Sequence, residues 1–337
     1  MTAPLQTHPT FAPVRIHRGL PYFKTGQRRI ATTGTFDGVH LGHRALLDWM
    51  VNEAQTMGAE TLVLTFDPHP RQVLFGADSG LELIQSLDQR MECLEETGLD
   101  HLVIQPFDKE FSRLRPEDFV RDVLVEGLGI TTIVVGHDHR FGAGREGDID
   151  LLRACGEMYG FTVQLIPAHI EGELTVSSTK IRQRLRAGEL AEASALLGRH
   201  PAWRGEVVHG DGRGRQLGYP TANFEALEPH LLLPAEGVYA AEVKLLTQAD
   251  GSRPTGPIKA CPAMVNIGPR PTFDPADAPA KLEAHLFDTE APELYGATAE
   301  ITFVEKLRDV QKFESADALV GQLGMDATAA KRILGYT

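Results

Sequence analysis

Two histidines, His40 and His43, flank Gly42 in the stretch TTGTFDGVHLGHRALLDWM (Thr32–Met50). The leucines that follow predict a helix beginning at that point. A helix start offers free N–H groups and the positive end of the dipole, and so attracts phosphate. Glycine at position 42 removes a side chain that would hold a phosphate off the backbone. His40 and His43 share one helical face in this reading, and each can donate to oxygens whose charge grows as pyrophosphate leaves. The competing reading is a pair of surface histidines on an ordinary helix, because short motifs match by chance. Zinc fits less well, since no cysteine or third histidine stands at a ligand spacing. Asp37, just upstream, either contacts a ligand or stabilises its own turn.

Further candidates are scattered along the chain. Ser177–Arg182 (SSTKIR) suits an anion site: serine and threonine cap a helix starting near Thr179, and Lys180 and Arg182 supply charge. Plain capping beside solvated basic residues is the alternative. In DPHP, Asp67 and His69 line a pocket or simply build a rigid turn. GDGRGRQLGYPTANF (Gly210–Phe224) interleaves Gly210, Gly212, Gly214 and Gly218 with Arg213 and Arg215, a backbone able to wrap a polyphosphate. It matches neither a Walker A loop nor a G-x-G-x-x-G fingerprint. Thr221 and Asn223 alternate after Pro220, so their oxygens lie on one face, and neutral hard oxygens with ligand phosphates are what Mg²⁺ accepts. A glycine-rich hairpin explains the same composition. In KLEAHLF, Lys281, Glu283 and His285 face away from Leu282, Ala284 and Leu286. A solvated strand face accounts for this; the chemical reading makes Glu283 a general base for a hydroxyl attacking phosphorus.

Such residues need a frame. The first half alternates strands at Arg29–Thr33, Thr61–Phe66, His101–Gln105, Thr131–Val135 and Thr162–Ile166 with amphipathic stretches. The latter are Arg44–Met57, Asp88–Thr97, Glu117–Leu128 and Ile149–Tyr159. This predicts a parallel sheet with helices on both faces. GTFDGVHLGH, DPHP, GHDHRFG and SSTKIR would then all emerge at its carboxyl edge, where open α/β sheets bind ligands. From Ile181 to Gly198 the pattern is helical with one glycine break. Beyond it come Gly205–His209, Val238–Leu245, Ile258–Ile267, Leu282–Phe287 and Ala299–Val304 without intervening helices. They predict an antiparallel barrel or sandwich, closed by a terminal helix from about Ser315.

The 337 residues exceed one ordinary core, and 42% hydrophobic with 23% charged residues describe a soluble globular protein of two domains. No apolar run reaches membrane-spanning length, and the N-terminus lacks a secretory pattern. The net charge of -13 weighs against a protein that coats nucleic acid, but permits a phosphorylated small molecule in a local pocket. Cys93, Cys155 and Cys261 are far apart and without metal spacing, and read as reduced core residues of a cytoplasmic protein.

Together these blocks resemble the bifunctional prokaryotic riboflavin kinase/FAD synthetase family. The resemblance rests on GTFDGVHLGH, TFDPHP, VVGHDHRFG and SSTKIRQRLRAGEL in the first half. In the second it rests on GRGRQLGYPTANF, LLPAEGVYA, NIGPRPTF, EAHLFD and LYG. It implies an α/β nucleotidyltransferase domain (Rossmann-like, parallel sheet) over residues 1–186, a helical linker over 187–202, and an antiparallel β-barrel riboflavin kinase domain with a terminal helix over 203–337. It implies two reactions: riboflavin plus ATP gives FMN and ADP, and FMN plus ATP gives FAD and pyrophosphate. The family's HxGH falls on His40, Gly42 and His43. Its phosphate-binding signature falls on Ser177, Ser178, Thr179 and Arg182, with Lys180 at a variable position.

By the same resemblance Gly34, Phe36, Asp37 and Asp138 contact ATP, and Phe66, Asp67 and Pro68 contact the flavin. In the kinase domain it assigns Gly212, Gly214 and Arg215 to ATP, Thr221 and Asn223 to both ATP and Mg²⁺, and Glu283 to catalysis. His137 and His139 depart from the residues common in that loop. The expected partners are ATP, riboflavin and FMN alone, with no nucleic acid or membrane, in a monomer or weak homo-oligomer. Competing readings are a riboflavin kinase with an inactive second module, a flavin-binding protein without turnover, and a zinc-dependent hydrolase.

Overall fold

The computed structural model describes residues 13–21, 23, 26–137, 139–166, 176–210, 213–228, 230–254, 259–268, 281–287 and 294–336. The chain folds as two compact units. One comprises residues up to Leu81 and Leu87–Val176; the other comprises Glu82–Ser86 and everything from Ser177 onward.

The first unit is a sheet of strands β1 (Arg15–Arg18), β2 (Arg29–Thr33), β3 (Glu60–Asp67), β4 (His101–Pro106), β5 (Thr132–Val135) and β6 (Thr162–Leu165). Their order is β1-β4-β3-β2-β5-β6, and every pairing is parallel. Alternation along β3 explains why both faces are covered. Leu62 and Leu64 pack with Phe119, Val123, Leu124 and Leu152, while Val63 packs with Leu46, Leu47, Met50 and Leu94. The covering helices are α1 (Leu41–Met57), α2 (Pro70–Phe75), α3 (Leu87–Glu95), α4 (Pro116–Asp118) and α5 (Ile149–Tyr159).

Three local features differ from the periodic reading. β1 (RIHR) is a mostly exposed edge strand with no apolar face to announce it. The DPHP turn runs directly into α2. There Pro70 occupies the first helical turn, His69 Nδ1 accepts from the Arg71 amide at 3.1 Å, and Gln72 Oε1 accepts from the His69 amide at 3.2 Å. Finally, Phe119–Gly127 winds as a π-type helix continuing α4. Phe119, Val120, Val123 and Leu124 bury one face in either winding, so apolar spacing cannot tell the two apart.

The second unit opens with α6 (Ser178–Ala187) and α7 (Leu190–Leu197). A closed barrel follows, of β7 (Ala202–Val208), β8 (Ala222–Ala226), β9 (Gly237–Leu245), β10 (Cys261–Gly268), β11 (Lys281–Leu286) and β12 (Thr298–Arg308). A short α8 (Arg213–Gln216) lies between β7 and β8, and α9 (Ala316–Ile333) ends the chain, capped by Ser315. The barrel order is β10-β11-β8-β7-β12-β9, antiparallel throughout. Val238 and Ala240 of β9 pack beneath α9, whereas Tyr239, Ala241 and Val243 fill the other face. The segment Glu82–Ser86 joins this unit as a strap: Leu83 donates to His230 O at 2.7 Å and accepts from Leu232 at 2.8 Å.

Candidate active sites

In the first unit the chain leaves β2 toward β3 and β4, then crosses to β5 on the other side. This reversal opens a crevice at the carboxyl ends of β2 and β5. The loop after β2 crosses it by a strained path, for Phe36 (φ 50°) and Val39 (φ 34°) are non-glycine residues in the left-handed region. Both are buried core residues, which holds them there.

The loop ends at His40, the N-cap of α1. Its Nδ1 accepts from the His43 amide at 3.3 Å, so in the neutral ring the proton sits on Nε2. Rings of His40 and His43 stack at 3.7 Å and 14°, with Phe36 against His43 at 4.9 Å. The expectation of two histidines on one helical face is thereby corrected. His40 stands off the helix as its cap, and ring stacking brings the pair together. Gly42 and Asp37 are buried beside them, and the first turn of α1 carries no acidic residue to offset the dipole.

The end of β3 supplies the neighbouring wall. Phe66 meets Phe107 at 5.6 Å and Phe111 at 6.0 Å, and the Asp67–Pro68 peptide is cis. In the loop after β5, His139 stacks on Phe141 at 5.8 Å. Gly142, at φ 72°, lies so close to Pro116 that a Cβ would meet its Cα at 2.7 Å. Asp138 lies outside the described residues. Sequence reasoning missed Arg90 of α3, whose guanidinium reaches Thr35 O in the loop after β2 and Phe66 O near the end of β3. No local spacing reveals it.

Ser177, Ser178, Thr179 and Arg182 belong to the second compact unit. Ser177 caps α6, its Oγ accepting from the Lys180 amide at 3.3 Å, and Thr179 and Lys180 are exposed in the first turn. Arg182 is not a solvated cation. It is buried, and its Nε donates to Glu82 O of the strap at 2.7 Å. Arg186 pairs with the Glu82 carboxylate at 2.7 Å.

The barrel site is set by register. Asn223 of β8 lies opposite Glu283 of β11 and Val208 of β7. Asn223's amide occupies the space a Cβ on Gly210 would need, and a Cβ on Gly214 would press on Tyr219 O and approach Thr221 Oγ1 at 3.2 Å. These glycines therefore let backbone close around the two side chains. Gly214 O accepts from Leu217 and Tyr219 at 3.1 and 2.8 Å, folding the loop into the short α8 turn. Arg215 is exposed on that turn, and Gly212 lies outside the described residues. Glu283 is half-buried. His285, two residues on, hydrogen-bonds Pro220 O through Nδ1 at 2.8 Å and so ties β11 to the start of the Thr221–Asn223 segment.

Among the described residues no group of three His, Cys, Asp or Glu side chains is arranged to hold a metal. Thr221 and Asn223 offer one hydroxyl and one amide oxygen, neutral hard oxygens suited to Mg²⁺ shared with phosphates, with Glu283 opposite Asn223. No described helix is long and apolar enough to cross a membrane.

Comparison with known proteins assigns each part of the chain a counterpart. Residues 23–180 match the FAD synthetase family model, and residues 197–334 match the riboflavin kinase model. A bifunctional riboflavin kinase/FMN adenylyltransferase from Escherichia coli K12 is 39% identical over 91% of this chain and 93% of its own length. One of the same name from Pseudomonas fluorescens is 35% identical over 95% and 98%. A solved Streptococcus pneumoniae structure, described as a macrolide-efflux protein, superposes with a TM-score of 0.76 at 27% identity, covering 95% of this chain and 99% of that one.

Proposed function

Because the chain belongs to the bifunctional riboflavin kinase/FMN adenylyltransferase family, we propose a residue-level assignment of its two reactions. The enzyme phosphorylates riboflavin with ATP to FMN, then adenylates FMN with a second ATP to FAD, releasing pyrophosphate. Two local arrangements, one in each compact unit, support the assignment. A histidine-capped helix start lies in the parallel-sheet unit, and a carboxylate in register with the Thr/Asn strand lies in the barrel.

In adenylyl transfer the nucleophile is the FMN phosphate, already an anion, so no general base is required. The step needs in-line positioning and stabilisation of charge on the α-phosphate and departing pyrophosphate. The His40 and His43 rings and the first-turn amides of α1 supply those donors, and Gly42 keeps the approach open. Gly34, Phe36, Asp37 and Asp138 complete the ATP site of this unit, while Ser177, Ser178, Thr179 and Arg182 carry the family's phosphate-binding signature. Phe66, Asp67 and Pro68 contact the flavin.

Riboflavin kinase chemistry starts from a neutral ribityl hydroxyl. Glu283 takes its proton as the oxygen attacks the γ-phosphorus of ATP. Gly212, Gly214 and Arg215 contact the ATP phosphates. Thr221 and Asn223 hold Mg²⁺, which when bound neutralises charge on the phosphoryl oxygens.

In this reading residues 1–186 form the adenylyltransferase domain, 187–202 the linker and 203–337 the kinase domain. The enzyme is a cytoplasmic monomer or weak homo-oligomer acting on ATP, riboflavin and FMN alone. Incubation with riboflavin, ATP and Mg²⁺, with products followed by chromatography, should show FMN rising first and FAD after it. FMN accumulating without FAD would reduce the enzyme to its kinase, and no ATP consumption would make it a flavin-binding protein.

A further inference from the structure

Arg90 is 5% exposed, although it carries a full positive charge and sits on a helix whose outer face is open to solvent. A buried cation is tolerated only where its hydrogen bonds repay desolvation. Its planar fork divides between two segments: Nη1 donates to Thr35 O at 2.9 Å, and Nη2 donates to Phe66 O at 3.1 Å. Nη2 also lies 3.6 Å from Asp67 Oδ1.

Those acceptors lie just beyond the point where β2 and β3 part. Their strand register ends at Thr33 opposite Leu64, and the Gly34 N–H donates one last hydrogen bond to Leu64 O at 3.1 Å. Past it, one segment turns toward His40 and the other toward Pro68 and α2. A fork spanning two carbonyls fixes their separation in a way a single donor cannot. Thr65 Oγ1 adds a second donor to Thr35 O at 3.2 Å. Thr35 immediately precedes Phe36, the first residue of the strained turn, and such a turn persists only when its surroundings over-determine it.

We propose that Arg90 is a positioning residue for adenylyl transfer, holding the histidine loop at a fixed distance from the Phe66–Pro68 segment. This rests on assigning adenylyl transfer to that loop. In-line attack brings the FMN phosphate from one side of this gap to ATP on the other, so a gap that opens misaligns the two reactants without removing either binding surface.

Arg90→Met abolishes both donors, and Arg90→Lys keeps the charge but has no fork. Each variant is assayed for FMN-to-FAD conversion at saturating ATP and FMN, per mole of folded enzyme. Riboflavin-to-FMN conversion in the same sample is the internal control. Because a misplacement near 1 Å costs on the order of 10²-fold, kcat for FAD formation should fall about a hundredfold in Arg90→Met and about tenfold in Arg90→Lys. The kinase rate should stay at the wild-type value. A merely structural residue would lower the melting temperature and leave kcat per folded molecule intact. If Arg90→Met fails to fold, Arg90→Lys decides alone. Wild-type FAD turnover in the folded variant overturns the proposal. Wild-type enzyme that makes no FAD from FMN would instead overturn the assignment on which it rests.

Discussion

Two histidine pairs occupy opposite ends of one parallel sheet and are held in unlike ways. At the carboxyl edge His40 and His43 stack at 3.7 Å on a helix start with no acidic residue in its first turn. At the amino edge His17 Nε2 and His101 Nδ1 share a hydrogen bond of 3.0 Å. There His101 Nε2 lies 3.3 Å from Glu60, which also meets Arg15 at 2.7 Å and Arg29 at 3.4 Å. Phe23 stands edge-on to both rings. The second pair is absorbed into an ion-pair network, whereas the first stacks at a helix start, with His40 oriented by the His43 amide. The groups packed around the rings, and not the presence of two imidazoles, decide what a histidine pair can do.

The largest test of this contrast removes the carboxyl-edge pair. Losing one preorganised donor to a developing oxyanion costs about 10²–10³-fold. His40→Ala/His43→Ala should therefore cut FAD formation from FMN by about 10⁴-fold, with riboflavin phosphorylation unchanged. FAD made at the wild-type rate would return these histidines to the status of the amino-edge pair. The barrel supplies the next test, because it alone is assigned a general base. Glu283→Gln should slow FMN formation on the order of 10³-fold and leave FMN-to-FAD conversion intact. Equal loss of both activities would mean that the division of labour between the two sites is misdrawn.

A smaller effect probes the neutral oxygens beside that base. Truncating a metal-associated residue typically lowers metal affinity 10–100-fold. Asn223→Ala should accordingly raise the Mg²⁺ concentration for half-maximal kinase activity about tenfold, while the Mg²⁺ dependence of adenylyl transfer stays put. An unshifted Mg²⁺ titration would remove Asn223 from the cation site.

The sequence disclosed what is local or periodic. β2 and α5 occupy the predicted residues because apolar runs and caps such as Asp148 and Gly160 announce them. The terminal helix begins beside Ser315 as its cap chemistry dictates. HxGH and PTAN are contiguous and were visible as candidate chemistry. His40's role as a cap was not, since histidine competes poorly with Ser, Thr, Asp and Asn at that position. β1 has no buried face to read. Contacts across 84 residues, from His17 to His101, and across 55, from Arg90 to Thr35, leave no spacing signal. They exist only once the parallel sheet has brought those strands together.

The least disruptive test concerns the amino-edge pair. Burial, then the Arg15 charge, hold both His17 and His101 below their ordinary value of 6.5. Burial alone would raise the Glu60 carboxyl, but Arg15 and His101 outweigh it and hold it below its ordinary value of 4.5. As pH falls below 6.5 the unfolded chain gains imidazole protons that the folded chain refuses, so stability drops. Protonating both rings would also set two donors head to head across the shared hydrogen bond. Denaturant titrations should show stability declining as pH falls below about 6.5, with the slope reduced in His17→Gln/His101→Gln. Glutamine can lower the overall level without changing this reading, because the slope, and not the level, reports the imidazole protons. FMN and FAD formation at neutral pH should be unaltered in that variant. A pH slope identical to wild type would place the acid sensitivity elsewhere, and a selective loss of FAD formation would erase the distinction between the two ends of the sheet.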